Sequence, residues 1–170
     1  MIIKKYKNIF LDRDGIINNI VLRERVISSP RSLKEFKLRE DFINFANNVN
    51  KKAHNFFICT NQPDIARKLL KLDDLHEMHK VIEKYLDFSE ILYCSHDDSE
   101  GCNCRKPKPG MINLIIDKHE LKKEECVMIG DSKKDILSAK SAKIDAYYMN
   151  TTYNKSYKHT HNFNNLMDLI

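Results

Sequence analysis

Hydrophobic residues along this chain gather into short, nearly continuous runs: NIFL at 8–11, NFFICT at 55–60, EILYC at 90–94, CVMIG at 126–130 and AYYM at 146–149. Runs in which both side-chain sets are apolar predict strands buried on both faces of a parallel sheet. The segments between them follow a helical rhythm. Phe42, Phe45, Ala46 and Val49 form one apolar stripe. Leu75, Met78, Ile82 and Leu86 form a second, with Asp73 and Asp74 as its expected N-caps, and Met111, Leu114 and Ile115 form a third. Strands alternating with helices predict an α/β fold, an open Rossmann-like and mostly parallel sheet with right-handed crossovers and helices on both faces. The 170 residues are read as one domain spanning 1–170, with an Asn- and Lys-rich tail over about 151–170 that ends in a short helix at FNNLMDLI.

Glycine usage sharpens this picture. The chain has 4 glycines, where average usage would supply about twelve. Gly15, Gly101, Gly110 and Gly130 all sit at or beside the ends of expected strands. Ligands of open α/β sheets bind at the carboxyl ends of the strands, so the chemistry is sought there. The first strand ends in FLDRDG, with Asp12 and Asp14 two residues apart; the second in CTNQ, offering the Thr60 hydroxyl and the Asn61 amide. The third runs into a cysteine-rich loop followed by Arg105 and Lys106, and the fourth ends in IGDSKKD, with Asp131 and Asp135 one helical turn apart. Singly, each reads equally well as a turn or a helix cap. Together they place carboxylates, a hydroxyl, an amide and a lysine along one edge of one sheet.

Charge and cysteine usage narrow the surroundings. The formal net charge is +5 and the pI about 8.9, which suits a phosphorylated ligand and equally a lysine-rich solvated surface. Basic residues form no single stripe and aromatics are not interleaved with them, which argues against nucleic acid. The N-terminal apolar run soon meets charge, and no stretch approaches the roughly 18 apolar residues of a membrane span. The expectation is a cytoplasmic monomer with no membrane partner. Thiols stay reduced in that compartment, and clustered cysteines there bind metal more often than they pair. In the loop 94–104, Cys94-x-His96 and Cys102-x-Cys104 supply the closed Cys₃His complement of a structural Zn²⁺. Cys59 and Cys126 fall inside strands and read as core packing, His76 and His79 as surface or packing residues of the second helix, and His54, His119, His159 and His161 as exposed.

The motifs at Asp12 and Asp14, Thr60, Lys106, and Asp131 with Asp135 resemble, in order, those of the haloacid dehalogenase superfamily. Within it, LDRDG, TNQ with the following IAR, the metal loop and CRKPKPGM resemble the small phosphatases that include heptose bisphosphate and histidinol-phosphate phosphatases, over about residues 9–144. The resemblance implies a Mg²⁺-dependent phosphatase in which Asp12 attacks phosphorus, Asp14 acts as acid and then base, and Thr60 and Lys106 hold the transferring phosphoryl, Lys106 being oriented by Asp135. Mg²⁺ would take Asp12, the Asp14 carbonyl and Asp131, and zinc would stiffen the loop leading to Arg105 and Lys106. Asn61, Gln62, Arg105 and Ser132 are expected around the substrate, with Arg31 and Arg67 as possible helpers at a second phosphate. The intervals between motifs leave no room for a cap domain. The preferred substrate is a heptose 1,7-bisphosphate. Histidinol phosphate is the alternative, its amine met by Asp97, Asp98 or Glu100. Ile16, Ile20–Arg23, Pro63 and Asp64 depart from the family pattern, so the anomer and the exact sugar stay open.

Overall fold

The computed structural model of the protein describes residues 2–170. In chain order its main elements are β1 (Asn8–Leu11), β2 (Val21–Arg23), β3 (Val26–Ser28), α1 (Glu40–Asn48), β4 (Asn55–Asn61), α2 (Leu72–Glu83), β5 (Glu90–Cys94), α3 (Gly110–Lys118), β6 (Cys126–Gly130), α4 (Lys133–Ala142), β7 (Asp145–Met149) and β8 (Asn162–Phe163). Every run expected to be a strand is one. The main sheet has the order β5-β4-β1-β6-β7-β8, and all its neighbouring pairs are parallel.

Alternation within the strands explains why both faces need cover. Ile9 and Leu11 of β1, Phe56 and Ile58 of β4, and Val127 and Ile129 of β6 share one face with Phe42 and Phe45 of α1 and Leu75, Met78 and Ile82 of α2. Phe10, Phe57, Cys59 and Met128 take the other face, under Met111, Ile112 and Ile115 of α3 and Ile136 and Ala139 of α4. Each fully buried large side chain contributes about 1.5–3 kcal/mol of transfer free energy. β1 and β6 are buried along their whole length because neither of their faces reaches water. The chain runs outward from β1 through β4 to β5, then returns to add β6 on the other side of β1. That reversal opens a crevice at the carboxyl end of β1.

Several details differ from the sequence reading. Helix α2 begins at Leu72 with Lys71 at the N-cap, so Asp73 and Asp74 lie inside the first turn, where they complement the helix dipole instead of capping it. Leu114 is 55% exposed, because α3 buries Met111, Ile112, Ile115 and Ile116 and turns Leu114 outward. Residues 21–28 form the antiparallel hairpin β2–β3, too short and too exposed to show a periodic signal. The tail carries the additional strand β8, and the short helix expected at its end is a 3₁₀ helix at Leu166–Leu169, capped by Asn165. Leu166 and Leu169 are buried, and the Leu166 N–H donates to Asp41 Oδ2 of α1 at 3.2 Å. His54, His119 and His159 are half-buried, not exposed; His54 Nδ1 lies 2.8 Å from the Tyr6 carbonyl and His119 Nε2 2.8 Å from Glu90. Among the described residues, no helix is long and apolar enough to cross a membrane.

His79 of α2 is buried and its Nε2 has no hydrogen-bond partner among the described residues. Burial first, then the nearby Arg13 and His76, push its pKa down to about 3. The unfolded chain binds this proton near pH 6.5, so the favourable contribution is present above that pH and is lost as pH falls towards 3. His79→Leu should therefore lose less stability than the wild type between pH 7 and pH 4.5, read from urea midpoints at the two values.

Candidate active site

Four adjacent strands, β5, β4, β1 and β6, deliver the expected chemistry to one edge. Asp12 follows β1 directly, Thr60 and Asn61 close β4, Cys94 closes β5, and Asp131 follows β6. Lys106 arrives from the loop after β5 and is 2% exposed. Its Nζ lies 2.9 Å from Asp12 Oδ1 and 2.5 Å from Asp135 Oδ1, and donates to the Cys59 carbonyl at 2.7 Å. Burial opposes its charge, but the Asp12 and Asp135 carboxylates outweigh this and raise its pKa. Asp135 is spanned between two partners: its Oδ1 takes Lys106, while its Oδ2 accepts from the Ser132 hydroxyl at 2.6 Å and the Ser132 N–H at 3.0 Å, closing the capping box of α4.

The acidic groups are crowded. Asp12, Asp131 and Asp135 each place a carboxylate oxygen within 4.8 Å of the others. Burial, then the charge of Asp135, pushes Asp12 up to about 7; burial, then the charges of Asp12 and Asp135, pushes Asp131 up to about 8. Such a set of hard oxygens is destabilised by its own charge and fits a small divalent cation. Gly15, at φ 89°, makes the approach possible: a Cβ there would lie 2.1 Å from Asp131 Oδ2.

Asp14 occupies a different environment from Asp12. It receives Arg13 Nη2 at 2.9 Å, Asn18 Nδ2 at 2.9 Å, the Ser29 hydroxyl at 2.8 Å and Gln62 Nε2 at 2.7 Å. Burial alone would raise its pKa, but the charge of Arg13 and the hydrogen bonds from Asn18, Gln62 and Arg13 hold it below the ordinary carboxylate range. Two carboxylates two residues apart are thus driven in opposite directions by their surroundings, the arrangement expected of groups with different roles.

The second cluster lies in the loop after β5. Cys94 Sγ is 3.6 Å from His96 Nδ1 and 3.6 Å from Cys102 Sγ, and Cys104 Sγ is 3.3 Å from both Cys94 Sγ and His96 Nδ1 and 3.4 Å from Cys102 Sγ. A tetrahedron with Zn–S bonds of about 2.3 Å and Zn–N bonds of about 2.0–2.1 Å has edges of roughly 3.5–3.8 Å. The donor atoms already approximate that figure, with His96 turned to offer Nδ1. The cysteines are free thiols.

A cavity of about 490 Å³ opens over the carboxylates, lined on its polar side by Asp12, Asp14, Thr60, Asn61, Arg105, Lys106, Asp131 and Ser132. A larger groove of about 780 Å³ lies beside Arg39 and the segment after β7. It holds none of these groups, so the smaller cavity is the chemical one. Some expected contacts are placed elsewhere. Gln62 is fully buried and holds Asp14 and Thr60 instead of lining the cavity. Asn61 reaches the cavity wall, but its amide brackets the Lys106 backbone, donating to the carbonyl at 2.9 Å and accepting from the N–H at 3.0 Å. Arg31 is taken by Asp64 at 2.7 Å and Arg67 by Asp97 at 2.7 Å, and neither lines the cavity. Arg105 does line it, with Nε held by Asp98 at 2.5 Å. Sequence reasoning missed Arg13, fully buried behind Asp14, along with Ser29, Lys133, Lys134 and Tyr153. Arg13 had a faint signal, standing between two aspartates at a buried strand end; Ser29 and Tyr153 lie in segments without periodicity, and Lys133 and Lys134 open α4 within the IGDSKKD motif.

With this geometry in view, the comparisons are decisive at the level of family. The haloacid dehalogenase-like hydrolase model matches residues 6–143. The chain belongs to that family. The D-glycero-beta-D-manno-heptose-1,7-bisphosphate 7-phosphatase of Neisseria meningitidis is 33% identical over 135 residues, covering 76% of this chain and 70% of that protein. The D-glycero-alpha-D-manno-heptose-1,7-bisphosphate 7-phosphatase of Campylobacter jejuni is 27% identical over 171 residues, covering 98% and 95%. A D,D-heptose 1,7-bisphosphate phosphatase from B. bronchiseptica, solved with magnesium and phosphate, superposes with a TM-score of 0.79 at 24% identity, over 94% of this chain and 93% of that one. The resemblance read from the motifs is therefore borne out, as is the haloacid dehalogenase fold.

Among the described residues, Lys106 is the one cation in contact with both Asp12 and Asp135. Lys106→Met should leave buried carboxylates uncompensated and lower stability by about 3–5 kcal/mol, measured by urea denaturation without added metal.

Proposed function

We propose that this hydrolase removes the C7 phosphate of a D-glycero-D-manno-heptose 1,7-bisphosphate, forming and then hydrolysing an aspartyl-phosphate at Asp12, as a step in making nucleotide-activated heptose for a surface glycan. The observation that carries the reading is the Asp12 carboxylate at the floor of the cavity, beside Lys106 and facing a rim that bears Arg105, Lys133 and Lys134. A floor set for one phosphoryl group and a cationic rim for another suit a sugar with two phosphates. The names of the relatives from Neisseria and Campylobacter support the same substrate class and include both anomers.

The steps follow from the positions of the side chains. Asp12 attacks phosphorus at C7, and the bond from phosphorus to the sugar oxygen breaks. The departing alkoxide takes a proton from Asp14. Water then attacks the acyl phosphate and gives its proton to Asp14, freeing phosphate and regenerating Asp12. As it stands, Asp14 is set as the base; to serve as acid it must take up a proton as the contacts from Arg13, Asn18, Ser29 and Gln62 loosen. Lys106 and Thr60 hold the equatorial oxygens, Asp135 keeps Lys106 in place, and Ser132 fastens Asp135. Bound through Asp12, Asp131 and the Asp14 carbonyl, Mg²⁺ would screen the repulsion between carboxylate and phosphate. Zn²⁺ at Cys94, His96, Cys102 and Cys104 would order the loop that presents Arg105 and Lys106.

Histidinol phosphate is less well supported, because the acids that would meet its amine are engaged: Asp97 by Arg67, Asp98 by Arg105, and Glu100 by the Asp97 N–H. The deciding assay is Mg²⁺-dependent phosphate release from both anomers of heptose 1,7-bisphosphate and from histidinol phosphate, with Asp12→Asn as blank. We expect a preference of at least about tenfold in kcat/KM for a bisphosphate, and no turnover by Asp12→Asn; a preference for histidinol phosphate would overturn the reading. Removing zinc with a strong chelator, then restoring Mg²⁺ alone, should leave activity low and raise amide hydrogen exchange over residues 94–106. Full activity in zinc-free protein would refute the role given to the loop.

A further inference from the structure

Residues 151–157 leave β7 and fold back over the carboxyl ends of β6 and β1 without forming a helix or strand. They lie beyond the residues matched by the family model, which end at 143. Asn154 ties this segment down. Its Nδ2 donates to the Asp131 carbonyl at 2.7 Å and to the Met149 carbonyl at 2.9 Å, while its Oδ1 accepts from the Thr151 N–H at 2.8 Å. One amide side chain thereby joins the ends of two neighbouring strands. Tyr153, next in line, donates its hydroxyl to Asp131 Oδ2 at 2.5 Å. The same hydroxyl would lie 2.6 Å from a Cβ on Gly15, so the glycine, the carboxylate and the phenol are packed against one another.

Asp131 is therefore held at its backbone by Asn154 and at one carboxylate oxygen by Tyr153. A carboxylate whose second oxygen is hydrogen-bonded presents its first in a fixed direction, and loss of such a contact typically costs 10–100-fold in metal affinity. We propose that Tyr153 and Asn154 are positioning residues of the divalent-cation site: they fix the Asp131 carboxylate beside Asp12, making the tail a working part of the site. This inference rests on the Mg²⁺ site proposed above. The tail has a second task at the same place. Tyr148 and Tyr157 meet edge to face at 4.9 Å, and with Tyr153 they line part of the cavity, so the anchor that aims Asp131 also holds that part of the wall.

Calorimetric titration of the full chain with Mg²⁺, in the absence of substrate, tests the assignment. Tyr153→Phe keeps the ring and removes one oxygen; we expect its Mg²⁺ Kd to rise at least about tenfold, with an unchanged far-UV circular dichroism spectrum and zinc content. Asn154→Ala leaves Tyr153 in place and should weaken Mg²⁺ in the same direction, so the idea remains testable if one variant folds poorly. Phosphate release by Tyr153→Phe should recover as Mg²⁺ is raised, which a general loss of structure would not allow. Equal Mg²⁺ affinity in wild type and both variants overturns the proposal, as does tighter binding by Tyr153→Phe, which would mean that the phenol blocks the site. A wild type that takes up no Mg²⁺ also overturns it. A wild type that binds Mg²⁺ but releases no phosphate from heptose bisphosphate would defeat the functional reading alone, and the ratio of Kd values would still decide this one.

Discussion

The buried ammonium of Lys106 is the contact on which the rest of the site depends. Four parallel strands ending side by side bring aspartates together in a place with little water, where like charges raise one another's proton affinity. Lys106 sits between Asp12 and Asp135 and offsets part of that repulsion, with its third hydrogen bond spent on the Cys59 carbonyl of β4. Its position is set in turn by Asn61, which clamps its backbone, and by the cysteine-rich loop immediately before it. A change in that loop is therefore felt at Asp12. The remaining excess of negative charge, centred on Asp12 and Asp131, is what makes the site suited to a divalent cation.

The same arrangement separates the two aspartates of the DRD motif. Asp12 faces other carboxylates and is driven towards protonation, whereas Asp14 faces Arg13 and a ring of neutral donors and is driven towards ionisation. Ser29, one residue beyond the exposed β2–β3 hairpin, contributes one of those donors, and the hairpin's Ile27 lines the cavity. The hairpin is thus linked both to the cavity wall and to the Asp14 carboxylate. On the other side the tail, through Tyr153 and Asn154, plays a matching part at Asp131. The hairpin and the irregular tail segment thus frame the cavity from two sides.

Much of this could be read from the residues in order. The apolar runs at 8–11, 55–60 and 126–130 became adjacent strands because a segment apolar on both sides can only be buried on both sides. The motif at each strand end, and the Cys₃His set, could be read because the residue types and their spacing carry the chemistry locally. The failures have a common cause. Asp98 was considered as a partner for a substrate amine and is instead a partner of Arg105; Arg67 was considered for a phosphate and is held by Asp97; Gln62 was expected at the substrate and lies buried under Asp14. Each error concerned which of several nearby polar groups would neutralise which, and that choice is made by loop closure.

The sequence by itself determined the layered α/β fold, the edge on which the chemistry lies, and the family to which the chain belongs, since periodicity and strand-end motifs act over a few residues. Only the tertiary structure decided that Arg13 stands behind Asp14, that Ser132 fastens Asp135, and that Tyr153, 22 residues after Asp131, returns to hold its carboxylate. Those contacts join segments with no repeating pattern. Their geometry follows from how the open sheet positions the ends of its strands, and from the high cost of leaving a charge unpaired once it is buried.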